Sequence, residues 1–222
     1  MEMTTNNHRK ISLWAGIFYV LTFVSIPTFS LYEDIQSPGF ILSQGPDAPI
    51  ITGGLLEIIV ALTGIATAVV LFPVLKKQNQ TAALGLVAAR VLEAATIFLG
   101  VAFLLGAITL RKSGIGAEGQ AAAQTMVALY NRIFTLGQGF LPAIDDLLLG
   151  YLLYKSKLVP RGLAMLGMIG AFPLIAGYLC VMFGIIDRVS IWSFGSALLV
   201  ATFEFSLGLY LIIKGFRKGI VK

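Results

Sequence analysis

The chain is poor in the residues that carry most enzymatic chemistry. Among 222 residues there is one histidine, His8, and one cysteine, Cys180. A lone cysteine forms no internal disulfide and no paired-thiolate metal or redox site. Cys180 sits in an apolar stretch, where it reads as a small buried hydrophobe. His8 stands in the N-terminal tail, which excludes zinc-hydrolase, histidine-triad and bis-histidine haem chemistry within the body of the chain. There is no G-x-S-x-G elbow, phosphate loop or dinucleotide fingerprint. Ala143-Ile144-Asp145-Asp146 is not a G-x-G-D protease signature, and no paired D-D-x-x-D motif occurs. No metal and no other cofactor is therefore expected. An enzyme here would work with carboxylates, arginines and tyrosines alone.

Charge is scarce as well. Only 12% of residues are charged, against about a quarter in soluble domains. In their place stand hydrophobic residues, 57% of the chain, giving a mean hydropathy of +0.89. Such a surface has to face hydrocarbon. Apolar runs cover about 11–31, 50–75, 82–110, 124–154 (broken near 137–142), 162–186 and 191–213. The pattern predicts an all-α integral membrane bundle of six transmembrane helices forming a single domain, 1–222. Spans of ~20 residues leave only short loops between them. The first run follows Arg9-Lys10 and exceeds the core of a cleaved signal peptide, so it reads as a retained anchor.

The net charge of +5 does not point to nucleic acid, because the cations fall between apolar runs rather than in a patch. Eleven Lys and Arg lie in the N-terminus, the loops at Lys76-Lys77 and Lys155–Arg161, and the tail Lys214, Arg217, Lys218, Lys222. Three (Arg111, Lys112, Arg188) lie in the alternate loops, and Arg90 and Arg132 lie inside spans. The asymmetry predicts both termini in the cytoplasm. Small residues recur at helical spacing: Glu57, Ala61, Gly64 and Ala68 share a stripe, as do Ala197, Ala201, Glu204 and Gly208, and Gly170, Gly177 and Gly184 repeat every seven residues. In lipid such stripes serve close helix packing. Trp14, Tyr19, Tyr32, Tyr151, Tyr154 and Trp192 lie near span ends, as an aromatic belt would.

Seven ionisable residues fall inside the spans, each costing at least ~2–3 kcal/mol at mid-bilayer unless paired. Counting ~1.5 Å per residue from the basic anchors sorts them into two layers. An outer layer would pair Glu57 with Arg132. An inner layer gathers Arg90, Glu93, Asp145, Asp146 and Glu204, one cation among four carboxylates. Arg90 and Glu93, three apart, share a helix face. The simplest role is a staple fixing helix register. The alternative is a proton or cation site, since one arginine cannot balance four acids. Gly137, Gly139 and Pro142 should break the fourth span, placing Asp145 and Asp146 in the first turn of its second piece, where a helix N-terminus suits acids. Broken helices also line substrate cavities in transporters.

Leu55-Leu56-Glu57-Ile58, Val70-Leu71-Phe72-Pro73-Val74-Leu75-Lys76 and Ala89-Arg90-Val91-Leu92-Glu93-Ala94 carry a resemblance, with Leu149–Tyr154, Leu158-Val159-Pro160-Arg161, Leu166–Gly170 and Lys214-Gly215-Phe216-Arg217. On these the chain resembles domain-of-unknown-function family 4386, which implies a multi-pass protein of the bacterial plasma membrane and no assigned activity. Three functions stand open: a small transporter-like or ligand-sensing bundle taking a proton, cation or small ligand; a structural or regulatory subunit; and a carboxylate-based lipid-modifying enzyme. Catalysis is the reading with least support, and membrane lipids are the expected surroundings.

Overall fold

The computed structural model describes residues 5–217. It is helical, with no strand among the described residues. The helices are α1 (Thr5–Leu21), α2 (Thr28–Leu31), α3 (Glu33–Gln36), α4 (Ala48–Leu75), α5 (Gln80–Lys112), α6 (Gln120–Phe134), α7 (Leu141–Ser156), α8 (Arg161–Met182) and α9 (Ile191–Ile213). Among the described residues five stretches are long and apolar enough to cross a bilayer: Asn7–Leu31, which includes α1 and α2, and the helices α4, α5, α8 and α9. The fourth predicted run is built differently. There α6 and α7 are joined through a π-helical turn over Thr135–Gly139.

Local chemistry explains the helix ends. Asn79 caps α5, its side chain accepting a hydrogen bond from the Ala82 amide at 3.0 Å. Ser190 and Ser193 form a reciprocal capping box at the start of α9. The seventh-residue repeat Gly170, Gly177, Gly184 divides in its roles. Gly170 and Gly177 pack against Leu199–Val200 and Ser196 of α9. Gly184 instead has φ of 72° and ends α8, the Ile185 amide donating to the Cys180 carbonyl at 2.9 Å. For that reason α8 stops at Met182 and not near 186.

The outward faces are apolar and periodic. Leu55, Leu62 and Val69 on α4, and Leu84, Val91, Phe98 and Leu105 on α5, recur every seven residues and are all exposed. Their opposite stripe on α4, Glu57, Ala61, Gly64 and Ala68, is buried. A water-facing bundle would reverse this pattern, whereas a lipid-facing one requires it. The chain is a multi-pass membrane bundle.

Neighbours in the bundle run α1, α4, α5, α7, α8, α9 and back to α1, with α6 against α5. The ring closes where α1 crosses α9 at Gly16 and Gly208. A Cβ on Gly16 would come within 2.6 Å of the Gly208 carbonyl oxygen, so the approach depends on glycine. At this end Arg9 donates to the Leu211 and Ile212 carbonyls, and the Arg217 amide to the Leu158 carbonyl at 2.8 Å. His8 lies close enough to Lys77 to feel its charge. The N-terminal segment, the C-terminal segment and the loops at Lys76 and Lys157 thus share one end. Lys218 and Lys222 lie outside the described residues.

The other end is closed by the 32–47 connection. Tyr32, Ile35, Phe40 and Ile41 pack there against Leu104, Ala107 and Ile108 of α5 and against Tyr130 of α6. Arg111 ties the cap down: it pairs with Asp34 and Asp47, donates to Ser43 at 3.0 Å, and lies over the Phe40 ring with 4.2 Å to its centroid. Lys112 adds a second cation to Asp47 at 2.9 Å. These contacts correct part of the aromatic-belt expectation. Trp14 and Trp192 are exposed, but Tyr19 and Tyr32 are buried.

Candidate functional site

The inner polar residues converge from separate helices. Arg90 lies ten residues into α5, Asp145 eleven residues before the end of α7 and Glu204 nine before the end of α9. At 1.5 Å per residue, each is roughly 15 Å from the basic end, which is half the thickness of a hydrocarbon core. Arg90 Nη1 donates to Glu93 Oε2 at 2.9 Å, Nη2 donates to Glu204 Oε1 at 2.5 Å, and Nε stands 3.3 Å from Asp145 Oδ2. One guanidinium therefore ties α5, α7 and α9 together. Its planar fork suits this task, which a lysine ammonium could not perform with one atom.

Two further helices complete the surroundings. Tyr19 of α1 is fully buried and presents its ring 5.8 Å from the Arg90 guanidinium carbon. Gly64 of α4 leaves room beside the arginine, since a Cβ there would sit 3.8 Å from Arg90 Cδ. Neither residue stood out in the sequence, where Tyr19 looked like a belt residue and Gly64 like a packing residue. The signal available was Gly64's place on the Glu57 stripe, seven residues from a buried acid.

Asp146 is the exception to the pairing. It is fully buried, and neither carboxyl oxygen has a hydrogen-bond partner. Its electrostatic neighbours are Glu204, Arg90, Asp145 and Glu93. The helix-start explanation for the two aspartates does not hold. Pro142 does lie in the first turn of α7, but Asp145 and Asp146 come after that turn. The backbone at Phe140 also keeps right-handed helical angles, so the N-terminal charge that would favour acids falls off before reaching them. Four carboxyl groups and one guanidinium share a largely buried layer, and Arg90 can balance only one of them.

The outer pair takes a different form. Glu57 is buried, and its Oε1 accepts from the Tyr130 hydroxyl at 2.7 Å. Arg132 is exposed and has no ion pair with a carboxylate among the described residues. Residues two apart on a helix point ~200° apart, so a helix that turns Tyr130 inward turns Arg132 out. The signal for Tyr130 was the spacing Ala123, Val127, Tyr130, a buried face of α6. A second arginine does approach: Arg188 stacks 4.6 Å from the Phe134 centroid and donates to Asn131 Oδ1 at 3.0 Å. Glu57 Oε2 and the Tyr32 hydroxyl, both buried, have no hydrogen-bond partner.

A family model described as Domain of unknown function (DUF4386) matches residues 14–215. The chain belongs to this family. The match spans all the residues of both polar layers. No curated protein and no solved structure matches the chain. DUF4386 carries no assigned chemistry, so the functional reading of this member rests on its geometry. Among the described residues no group of three or more His, Cys, Asp or Glu is arranged to hold a metal ion.

Proposed function

We propose that this DUF4386 chain is a small transporter-like or sensing bundle whose inner carboxylate–arginine layer takes up a proton or a small monovalent cation. The observation that carries the reading is Asp146, buried with both oxygens unbonded in a layer that already holds more acids than cations. A staple alone needs Arg90 with two or three carboxylates and has no use for a fourth. Left ionised and unpaired, that acid would cost several kcal/mol in hydrocarbon. Uptake of one positive charge offsets that cost and makes the folded state a ligand-binding state.

The proposal includes six crossings with both termini in the cytoplasm of a bacterial plasma membrane. The α6–π–α7 segment supplies the crossing beyond the five long helices. The gathering of Arg9, Lys77, Arg217 and the Lys157 loop at one end supports the orientation. Because Arg90 joins three helices, a change of charge in the layer would be felt by all three.

The test compares wild type with Asp146→Asn, melted in neutral detergent from acid to alkaline pH, in sodium, potassium or choline chloride. Wild-type stability should change with pH or with the small cation, as mass action on a bound ligand demands. The variant should fold and lose that dependence. Superimposable profiles for the two proteins would leave the layer as a staple.

A further inference from the structure

Arg132 and Arg188, which do not share the roles of the inner layer, meet at a cleft on the surface. Its volume is about 310 Å³. One wall is a face of α6: Ala128, Asn131, Arg132 and Thr135. The other is the end of α8 and the turn that follows, where the left-handed Gly184 sends the chain back so that Asp187 and Arg188 line the opening. The cleft is a wedge. Helix α8 packs on the π turn below it, and above that turn α6 and α8 diverge.

The charge lining this wedge is two guanidiniums against the single carboxylate of Asp187. Arg188 is held in place by its stacking on Phe134 and its bond to Asn131, so it is preorganised. Arg132 is exposed and pairs with no carboxylate among the described residues. Guanidinium forks match phosphate oxygens in geometry and charge. Phe183 and Ile185, next to the cleft in the chain, are among the most exposed apolar residues of the protein. They alternate in the chain with Gly184 and Ile186, which line the cleft, and so bring exposed apolar surface close to it, which a free anion has no use for and an acyl chain does.

We propose that this cleft binds the phosphate of an anionic phospholipid headgroup, entering sideways from the leaflet at the end away from the termini. Arg132 and Arg188 hold the phosphate, and Phe183 and Ile185 lie along the first part of an acyl chain. The site is separate from the inner carboxylate layer and does not depend on its function.

The test titrates phosphatidylglycerol into delipidated protein in neutral detergent and counts retained lipids by native mass spectrometry. The basic end will also hold anionic lipid, so the readout is the difference between variants. Wild type should retain one phosphatidylglycerol more than the Arg132→Gln/Arg188→Gln double variant. That lipid's apparent affinity should fall roughly tenfold for each arginine replaced. Ala128→Trp, which fills the wedge from an exposed position without altering charge, should lose the same lipid, and it carries the test if the double variant does not fold. Sodium phosphate should not compete. Equal lipid counts in the three proteins would overturn the proposal. Competition by inorganic phosphate at matched concentration would overturn the lipid assignment and leave a site for free phosphate.

Discussion

Replacing Arg90 with glutamine is the sharpest perturbation of this bundle. The side chain is buried, and its three nitrogens face Glu93, Asp145 and Glu204 on three helices. Deleting one partner of a buried ion pair costs about 3–5 kcal/mol, because the other charge is left in low dielectric. Here one deletion strands three carboxylates beside a fourth, so Arg90→Gln should reach the upper part of that range. Glu204→Gln is the matched control. It removes one negative charge from an acid-rich layer and keeps an oxygen for Arg90 to donate to, so its cost should stay near 1 kcal/mol. The double variant should lose less than the sum of the single costs, since part of the Arg90→Gln penalty is the stranding of Glu204. Unfolding in mixed micelles, followed through Trp14 and Trp192, measures all three. If Arg90→Gln costs under ~1 kcal/mol, as an exposed pair would, then the layer does not tie these helices together.

Other perturbations bear on separate parts of the fold. Tyr130→Phe removes the 2.7 Å hydrogen bond to the buried Glu57 and should cost ~1–3 kcal/mol in the same assay. Gly16→Val would force α1 away from the Gly208 backbone, at ~1–3 kcal/mol or more, and should show as faster proteolysis of the N-terminal segment. At the opposite end, the Lys112 hydrogen bond and the Arg111 guanidinium hold the Asp47 carboxyl below its ordinary 3.8. A depressed acid contributes stability above its unfolded value and loses it as pH falls through the folded one. Hydrogen-exchange protection over residues 33–47, taken relative to the intrinsic rate at each pH, should therefore be full at neutral pH and fall below pH 3.8. Asp47→Asn should be less protected at neutral pH and show no such step.

Much of this architecture is legible in the sequence, because lipid imposes a simple rule on composition. The apolar runs located the helices, and the i, i+3 spacing of Arg90 and Glu93 put both on one face, where they bond directly. Depth counting from basic anchors put Asp145 and Glu204 ~15 Å in and Arg90 ~20 Å in, within one inner layer. It worked where the path from anchor to residue is unbroken helix, as for Asp145 and Glu204. It misled at Arg132, where azimuth was ignored: Tyr130 points in and bonds Glu57, while Arg132, two residues on, is exposed. Tyr19 was missed for a related reason. Its position near a span end fits a belt, and only packing against α4 and α9 shows that it faces inward. Tertiary contact decides such cases, and no local pattern contains it.

The π turn at Thr135–Gly139 has a consequence for phase. An α-helix advances ~100° per residue, so a turn holding one residue more than usual rotates everything after it by about that angle. Tyr130 before the turn and Asp145 and Asp146 after it all face inward, yet the two faces would not align along one uninterrupted helix. Winding the same residues as one regular α-helix would carry both aspartates around by ~100°, whereas deleting one residue at the exposed Leu136 would remove the extra residue and leave both facing inward. The facing of the acids is thus set by the shape of that turn, which absorbs one residue in five, as much as by the residues themselves. A relative with a regular four-residue turn there would build the same layer with its acids one residue nearer the position of Tyr130.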